Sequence, residues 1–374
     1  MWQELRDTPE VVYGALTAFL IVLALSPAVG RVARVLGAVD RPERRRLNRV
    51  PVPRLGGIAL FLGILVPSLA FLPLGDETRG LLLGAAVATT VGAIDDVRGL
   101  AWWQKLGGQV AAAAIPCAFG IWVDRFTFPF LTDPYAELPA WVGVPATIIW
   151  IVALMNMVNF LDGLDGLAAG VCGIAGGTFG VIALSLGKPS AAVLAAIVCG
   201  ACVGFLRHNF YPARIFMGDS GALLLGFVLA TLSVQGLLKT AATVALFFPL
   251  LVLAVPIIDT SFVVARRVKH GEKVYAPDQA HLHHRFLRRG FSQRRATLTM
   301  WVWCGTLAAA ALATRFIPFR EGGAWHLWET LAAAGIGLLA VVFSFYVVYV
   351  LEIVKLTALV PRRTLDRRRA RRSA

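Results

Sequence analysis

Charge is what this chain has least of. Of its 374 residues only 16% are Asp, Glu, Lys or Arg, whereas a soluble domain carries about 25%. The shortage is mainly acidic: 22 Asp and Glu stand against 36 Lys and Arg, a formal net charge of +14. So few charges cannot coat a water-facing surface of this size, which excludes an ordinary soluble fold. Cysteine is scarce as well. Cys117, Cys172, Cys199, Cys202 and Cys304 all lie inside apolar runs. Cys199 and Cys202 have CxxC spacing, but no second Cys or His pair flanks them. They read as small packing residues rather than a disulfide framework. No repeat of about 20–50 residues is visible, nor an inverted repeat of the transporter kind. No nucleic-acid motif accompanies the positive charge, so nucleic acid is not an expected partner.

Apolar residues are plentiful. They make up 57% of the chain, with a mean hydropathy of +0.71. Repeated apolar runs of about 17–25 residues predict transmembrane helices. Eleven are expected, over 10–30, 55–74, 79–95, 104–122, 142–159, 166–186, 190–206, 219–237, 241–263, 296–316 and 329–353. The first run lacks a basic leader and a small-residue cleavage site, so it is expected to remain as a span. The expected fold is therefore an all-α polytopic membrane protein. Residues 1–353 form a single transmembrane domain, and residues 354–374 form a disordered basic tail on anionic lipid.

Charge placement sets the expected orientation. Segments 31–54, 96–105, 160–165, 207–218, 264–295 and the tail fall on one side, and they hold 29 of the 36 Lys and Arg. The positive-inside rule makes that side cytosolic. The N-terminus is then outside and the C-terminus inside, as an odd number of spans requires.

The polar motifs share this face. They are RVPVPRLGG (49–57), AIDDVRGLAWWQKLGGQ (93–109), NFLDGLDGL (159–167), RHNFYPARIFMGDSGA (207–222) and PDQAHLHHRF (277–286). Taken singly, each has a structural explanation. The Asp pair suits a solvated helix end, and NFLDGLDG a turn. The Asp of GDSG suits a helix N-cap. HLHH suits a basic interfacial loop or a zinc site. Together they place Asp95, Asp96, Asp162, Asp165, Asp219, Asn159 and Asn209 opposite Arg54, Lys105, His281, His283, His284 and Arg285. Oxygen ligands suit a hard cation, Mg²⁺ or Mn²⁺, and the basic side chains suit phosphates bound beside it. The expected site is a metal-dependent phosphate or diphosphate centre on the cytosolic surface of the membrane.

The ordered set DD, NxxDGxDG, NxxPAxxFMGDSG and PDxxHxHHR resembles the polyprenyl-phosphate N-acetylhexosamine-1-phosphate transferases, which include WecA-type and MraY-type enzymes. The resemblance runs from about residue 40 to residue 290. It implies transfer of a sugar-1-phosphate from a UDP-sugar donor to a polyprenyl phosphate in the plasma membrane, with release of UMP. It implies that Asp219 and Asn159 hold the metal, and that Asp95, Asp96, Asp162 and Asp165 form the catalytic acidic set. It places Asn209 and Phe216 at the uracil. Arg54, Lys105, His281, His283, His284 and Arg285 are expected to bind substrate. It also admits a homodimer. Two departures stand out: Asn48 replaces a frequent His, and HLHHR lacks the third His usual in MraY-type sequences. The second favours the WecA-like branch, with UDP-GlcNAc as donor and undecaprenyl phosphate as acceptor. The alternatives are MraY-type transfer of phospho-MurNAc-pentapeptide and, in a different class, a secondary transporter. Asp259 is the one acid deep in a predicted span, and it reads as a structural partner or a lower wall of the site.

Overall fold

A computed structural model of the protein describes residues 2–40, 50–127, 135–238, 253–270, 282–317, 320–321 and 324–350. The helices are α1 (Trp2–Asp7), α2 (Glu10–Val35), α3 (Gly56–Phe71), α4 (Asp76–Arg98), α5 (Trp102–Ala118), α6 (Ala140–Leu161), α7 (Leu167–Ser185), α8 (Pro189–Asn209), α9 (Gly218–Leu232), α10 (Ala254–His270), α11 (Leu282–Arg288), α12 (Gln293–Phe316) and α13 (Leu327–Val350). A π-helical segment, Ser233–Leu238, continues α9.

Among the described residues, eight helices are long and apolar enough to cross a membrane: α2, α4, α6, α7, α8, α9 with its extension, α12 and α13. The chain is thus an all-α polytopic membrane protein. Helices α3 and α5 coincide with two further expected spans but are shorter, 16 and 17 residues. The expected span 241–263 and the basic tail fall wholly or largely outside the described residues.

Helix α9 is the axis of the bundle. Its span is 89% buried, against 11% for α13 at the periphery. Helices α3, α4 and α6 pack against α9, while α2, α7 and α8 form an adjoining group. Close approach needs small residues. A Cβ on Gly92 of α4 would lie 2.4 Å from the Ser220 amide nitrogen of α9. A Gly92→Ala substitution therefore forces the two backbones apart. The expected cost is about 1–3 kcal/mol, read as a lowered thermal midpoint.

Short β-pairings tie the loops at one end of the bundle. β1 (Val39–Asp40) pairs antiparallel with β2 (Val52–Pro53). Phe216 then joins the edge: its amide donates to the Pro53 carbonyl at 2.9 Å, and its carbonyl accepts from Gly56 at 3.0 Å. The loop before α9 is thereby stapled to the loop before α3. This end of the bundle carries the polar motifs.

Candidate active site

The site is built where four helices bring polar ends together. Asp95 and Asp96 close α4, Lys105 lies in the second turn of α5, Asn159 sits in the last turn of α6, and Asp219 opens α9. Adjacent residues on a helix point about 100° apart, and the two aspartates of α4 have separate partners. Asp96 turns inward. One carboxylate oxygen accepts from the Asp219 amide at 2.9 Å, and the other accepts from the Ser220 amide at 3.0 Å and the Ser220 hydroxyl at 2.9 Å. These are first-turn donors of α9 that no helical carbonyl satisfies, and a carboxylate is well suited to that positive end. Gly218 makes the approach possible. Its φ is +68°, and a Cβ there would fall 2.3 Å from Asp96 Oδ2. Only glycine meets both conditions without strain.

Asp219 is held from the other side. Its Oδ1 accepts from the Asn159 amide at 2.9 Å, and its Oδ2 is engaged by the Lys105 ammonium. The same ammonium lies 3.0 Å from Asp95 Oδ2, while Asp95 Oδ1 accepts from the Leu100 amide at 2.6 Å. Arg54 reaches Asp96 at 3.4 Å and Asp40 at 4.0 Å. One turn deeper, the side-chain amides of Gln109 and Asn156 pair with each other at 2.7 and 3.2 Å, locking α5 to α6 beneath Lys105 and Asn159. That pair braces the site and carried no sequence signal beyond two amides inside apolar runs.

Asp162 and Asp165 lie just past the α6 span and have different roles in the fold. Among the described residues no hydrogen bond or ion pair reaches the Asp162 carboxylate. Burial pushes its carboxyl up to about 8, and the nearby carboxylates of Asp219 and Asp96 push the same way. Part of the residue meets solvent, yet the crowding of protein and like charge around it dominates. Asp165 faces the loop before α9: its Oδ2 accepts from the Ala213 amide at 2.9 Å, and its carbonyl accepts from the Thr297 hydroxyl of α12. Burial raises its carboxyl pKa against the opposing pull of the Ala213 amide.

The remaining sequence-derived residues are placed as follows. Asn209 is buried, with its amide spanning from the Gly166 amide to the Ile215 carbonyl, so it shapes the same loop. Phe216 is half-buried beside Arg54. Helix α11 carries His283, His284 and a half-buried Arg285, while His281 lies outside the described residues. Asp259 is buried, and its Oδ1 accepts from the Leu282 amide at 2.8 Å. It caps the helix bearing the histidine motif, a link across 23 residues that no local pattern discloses. An Asp259→Ala variant leaves that amide unpaired at a cost of about 1–3 kcal/mol. Loosening of α11 should appear as faster hydrogen exchange at Leu282–Arg288, together with lowered turnover.

The donor chemistry fits a hard cation. Asp219 and Asn159 offer oxygens, and the crowding of Asp96, Asp162 and Asp219 is the like-charge situation that a divalent ion relieves. Among the described residues no group of three or more carboxylates, imidazoles or thiols forms a preformed metal cage. Mg²⁺ often takes one or two protein carboxylates and completes its shell with phosphate oxygens and water.

Residues 78–237 match the family model described as glycosyl transferase family 4, a stretch holding every acidic residue of the cluster. A probable undecaprenyl-phosphate N-acetylglucosaminyl 1-phosphate transferase of Bacillus subtilis is 35% identical, covering 78% of this chain and 81% of the relative. A decaprenyl-phosphate N-acetylglucosaminephosphotransferase of Mycobacterium tuberculosis is 34% identical, with 88% of both chains covered. A phospho-N-acetylmuramoyl-pentapeptide-transferase of Desulforudis audaxviator is 33% identical over 81% of this chain and 97% of its own length. With its ordered motifs converging on one site and this extent of similarity, the chain belongs to glycosyl transferase family 4, on the WecA-like branch of the MraY–WecA superfamily.

Proposed function

We propose that this chain transfers N-acetylglucosamine-1-phosphate from UDP-GlcNAc to a polyprenyl phosphate such as undecaprenyl phosphate, forming polyprenyl-diphosphate-GlcNAc and UMP at the cytosolic face of the plasma membrane. The observation that carries the reading is the polar cluster: Asp219 of the FMGDSG motif, held by Asn159 and Lys105, with Asp96 locked under its backbone. The cytosolic orientation is supported by the skew of Lys and Arg to this side of the bundle.

The chemistry asks for charge control more than for a strong base. The lipid phosphate has a second pKa near 6 and is mostly ionised at pH 7. Its oxygen attacks the phosphorus that bears the sugar; the new P–O bond forms as the diphosphate P–O bond breaks, and UMP leaves with the bridging oxygen. Lys105 and Arg54, which face the carboxylates of Asp95, Asp96 and Asp219, would bind phosphate oxygens and offset repulsion between the two anions. Asp219, with Asn159, would hold Mg²⁺ or Mn²⁺, which when bound supplies Lewis-acid stabilisation of the diphosphate. Asp96 orients Asp219 through its backbone. The long hydrophobic spans let a lipid acceptor arrive along the bilayer while the nucleotide arrives from water.

The test is UMP release by the purified protein. Undecaprenyl phosphate and UDP-GlcNAc with Mg²⁺ should give UMP, and omission of the lipid or addition of EDTA should stop it. Turnover of UDP-MurNAc-pentapeptide without turnover of UDP-GlcNAc would instead establish the MraY-type donor, a reading kept open by the 33% identity to the Desulforudis enzyme.

A further inference from the structure

The loop that leads into Asp219 also closes a cavity of about 370 Å³ between α2 and α8, away from the acidic cluster. Pro27 of α2 lines it. Pro27 has no amide hydrogen, so the Leu23 carbonyl in α2 loses its helical donor. The His208 ring of α8 takes that place, with Nε2 at 3.0 Å from the Leu23 oxygen. Arg31 and Arg34, three residues apart on α2, line the cavity together with Arg214 from the loop, and among the described residues no acidic one does. Among the described residues, no hydrogen bond or ion pair engages any of these three guanidinium groups, and all three residues are exposed. Three like charges around one hollow repel each other until an anion enters.

The surroundings indicate what brings the anion. Arg31 and Arg34 lie at the end of a membrane-crossing helix. Exposed Val32, Val35 and Leu36 stand beside them, and Tyr211 is exposed just after α8. The cavity therefore sits where an apolar belt meets a charged rim. A soluble anion gains nothing from the apolar belt, whereas a lipid can lay its chains there. We propose that this cavity binds the phosphate of an anionic membrane phospholipid. The site is separate from the acidic cluster and needs only the membrane setting. Its floor includes Ile215, whose carbonyl anchors Asn209, so occupancy braces the loop before α9.

The test uses the full chain, purified in detergent and titrated with phosphatidylglycerol or phosphatidylcholine of matched chains, with bound lipid counted by native mass spectrometry. One phosphatidylglycerol per chain should be retained in preference to phosphatidylcholine. The triple variant Arg31→Gln, Arg34→Gln, Arg214→Gln should weaken that binding about a hundredfold, roughly fivefold per arginine. Gly30→Leu, which fills the cavity without removing charge, should weaken it too. Neutralising Arg367, Arg368 and Arg369 of the tail should leave it intact. Equal phosphatidylglycerol retention by the triple variant and the parent would overturn the proposal. So would equal affinity for phosphatidylcholine. Displacement of the lipid by millimolar inorganic phosphate would mark a soluble-anion site and overturn the lipid assignment.

Discussion

Asp219→Asn is expected to lower UMP release about a thousandfold while leaving the protein folded. The side chain keeps its size, and an amide oxygen can still accept from Asn159. What is lost is the negative charge that Lys105 engages and that a divalent cation would need. Loss of about 4 kcal/mol of charge stabilisation in the transition state corresponds to that factor. The check has two parts. Steady-state UMP release reports the chemistry, and a thermal melt reports the fold. A melt close to that of the parent together with the drop in rate is the expected pair. Raising Mg²⁺ should recover part of the rate if the defect is metal affinity. Near-normal turnover at limiting Mg²⁺ would remove Asp219 from the metal site.

Asp96→Ala should be the more damaging change to the fold. This carboxylate accepts three hydrogen bonds from the first turn of α9 and pairs with Arg54. Alanine leaves the Asp219 and Ser220 backbone amides without a partner, at about 1–3 kcal/mol for each group, while the Ser220 hydroxyl keeps the Met217 carbonyl. A total of about 2–6 kcal/mol approaches the whole stability of many domains. The expected result is poor recovery of folded protein, or a strongly lowered melting point. Asp96→Asn separates the structural role from the electrostatic one. It retains one acceptor oxygen but sets an NH₂ group against a donor, so it should fold with reduced stability and lose activity. If Asp96→Ala melted like the parent, the Asp96–α9 contact would not be holding the site together.

Both predictions rest on a cluster whose members were visible along the chain, though their partnerships were not. The apolar runs of α2, α4, α6, α7, α8 and α9 were legible because a bilayer demands long, uncharged, internally hydrogen-bonded segments. The polar motifs stood out because carboxylates beside such runs are costly without a purpose. Asp219, Asn159, Lys105, Asp95 and Asp96 could thus be named from spacing and resemblance. The division of labour between Asp95 and Asp96 could not. Adjacent aspartates look alike in a string, and only the approach of α9 to Gly92 turns one of them into its N-terminal anchor. Asp165 and Asn209, expected in the acidic set and at the uracil, also hold the 207–218 loop through backbone hydrogen bonds.

The sequence by itself determined the membrane class, the helical architecture and the acidic chemistry of the site, because these depend on composition, periodicity and local residue type. Only the tertiary structure decided which groups meet. Asp259 capping Leu282 from 23 residues away, Gln109 clasping Asn156, and His208 answering the carbonyl freed by Pro27 all join separate helices or loops. Such pairings arise because buried donors and acceptors must find partners wherever packing brings them, and packing is a property of the whole bundle.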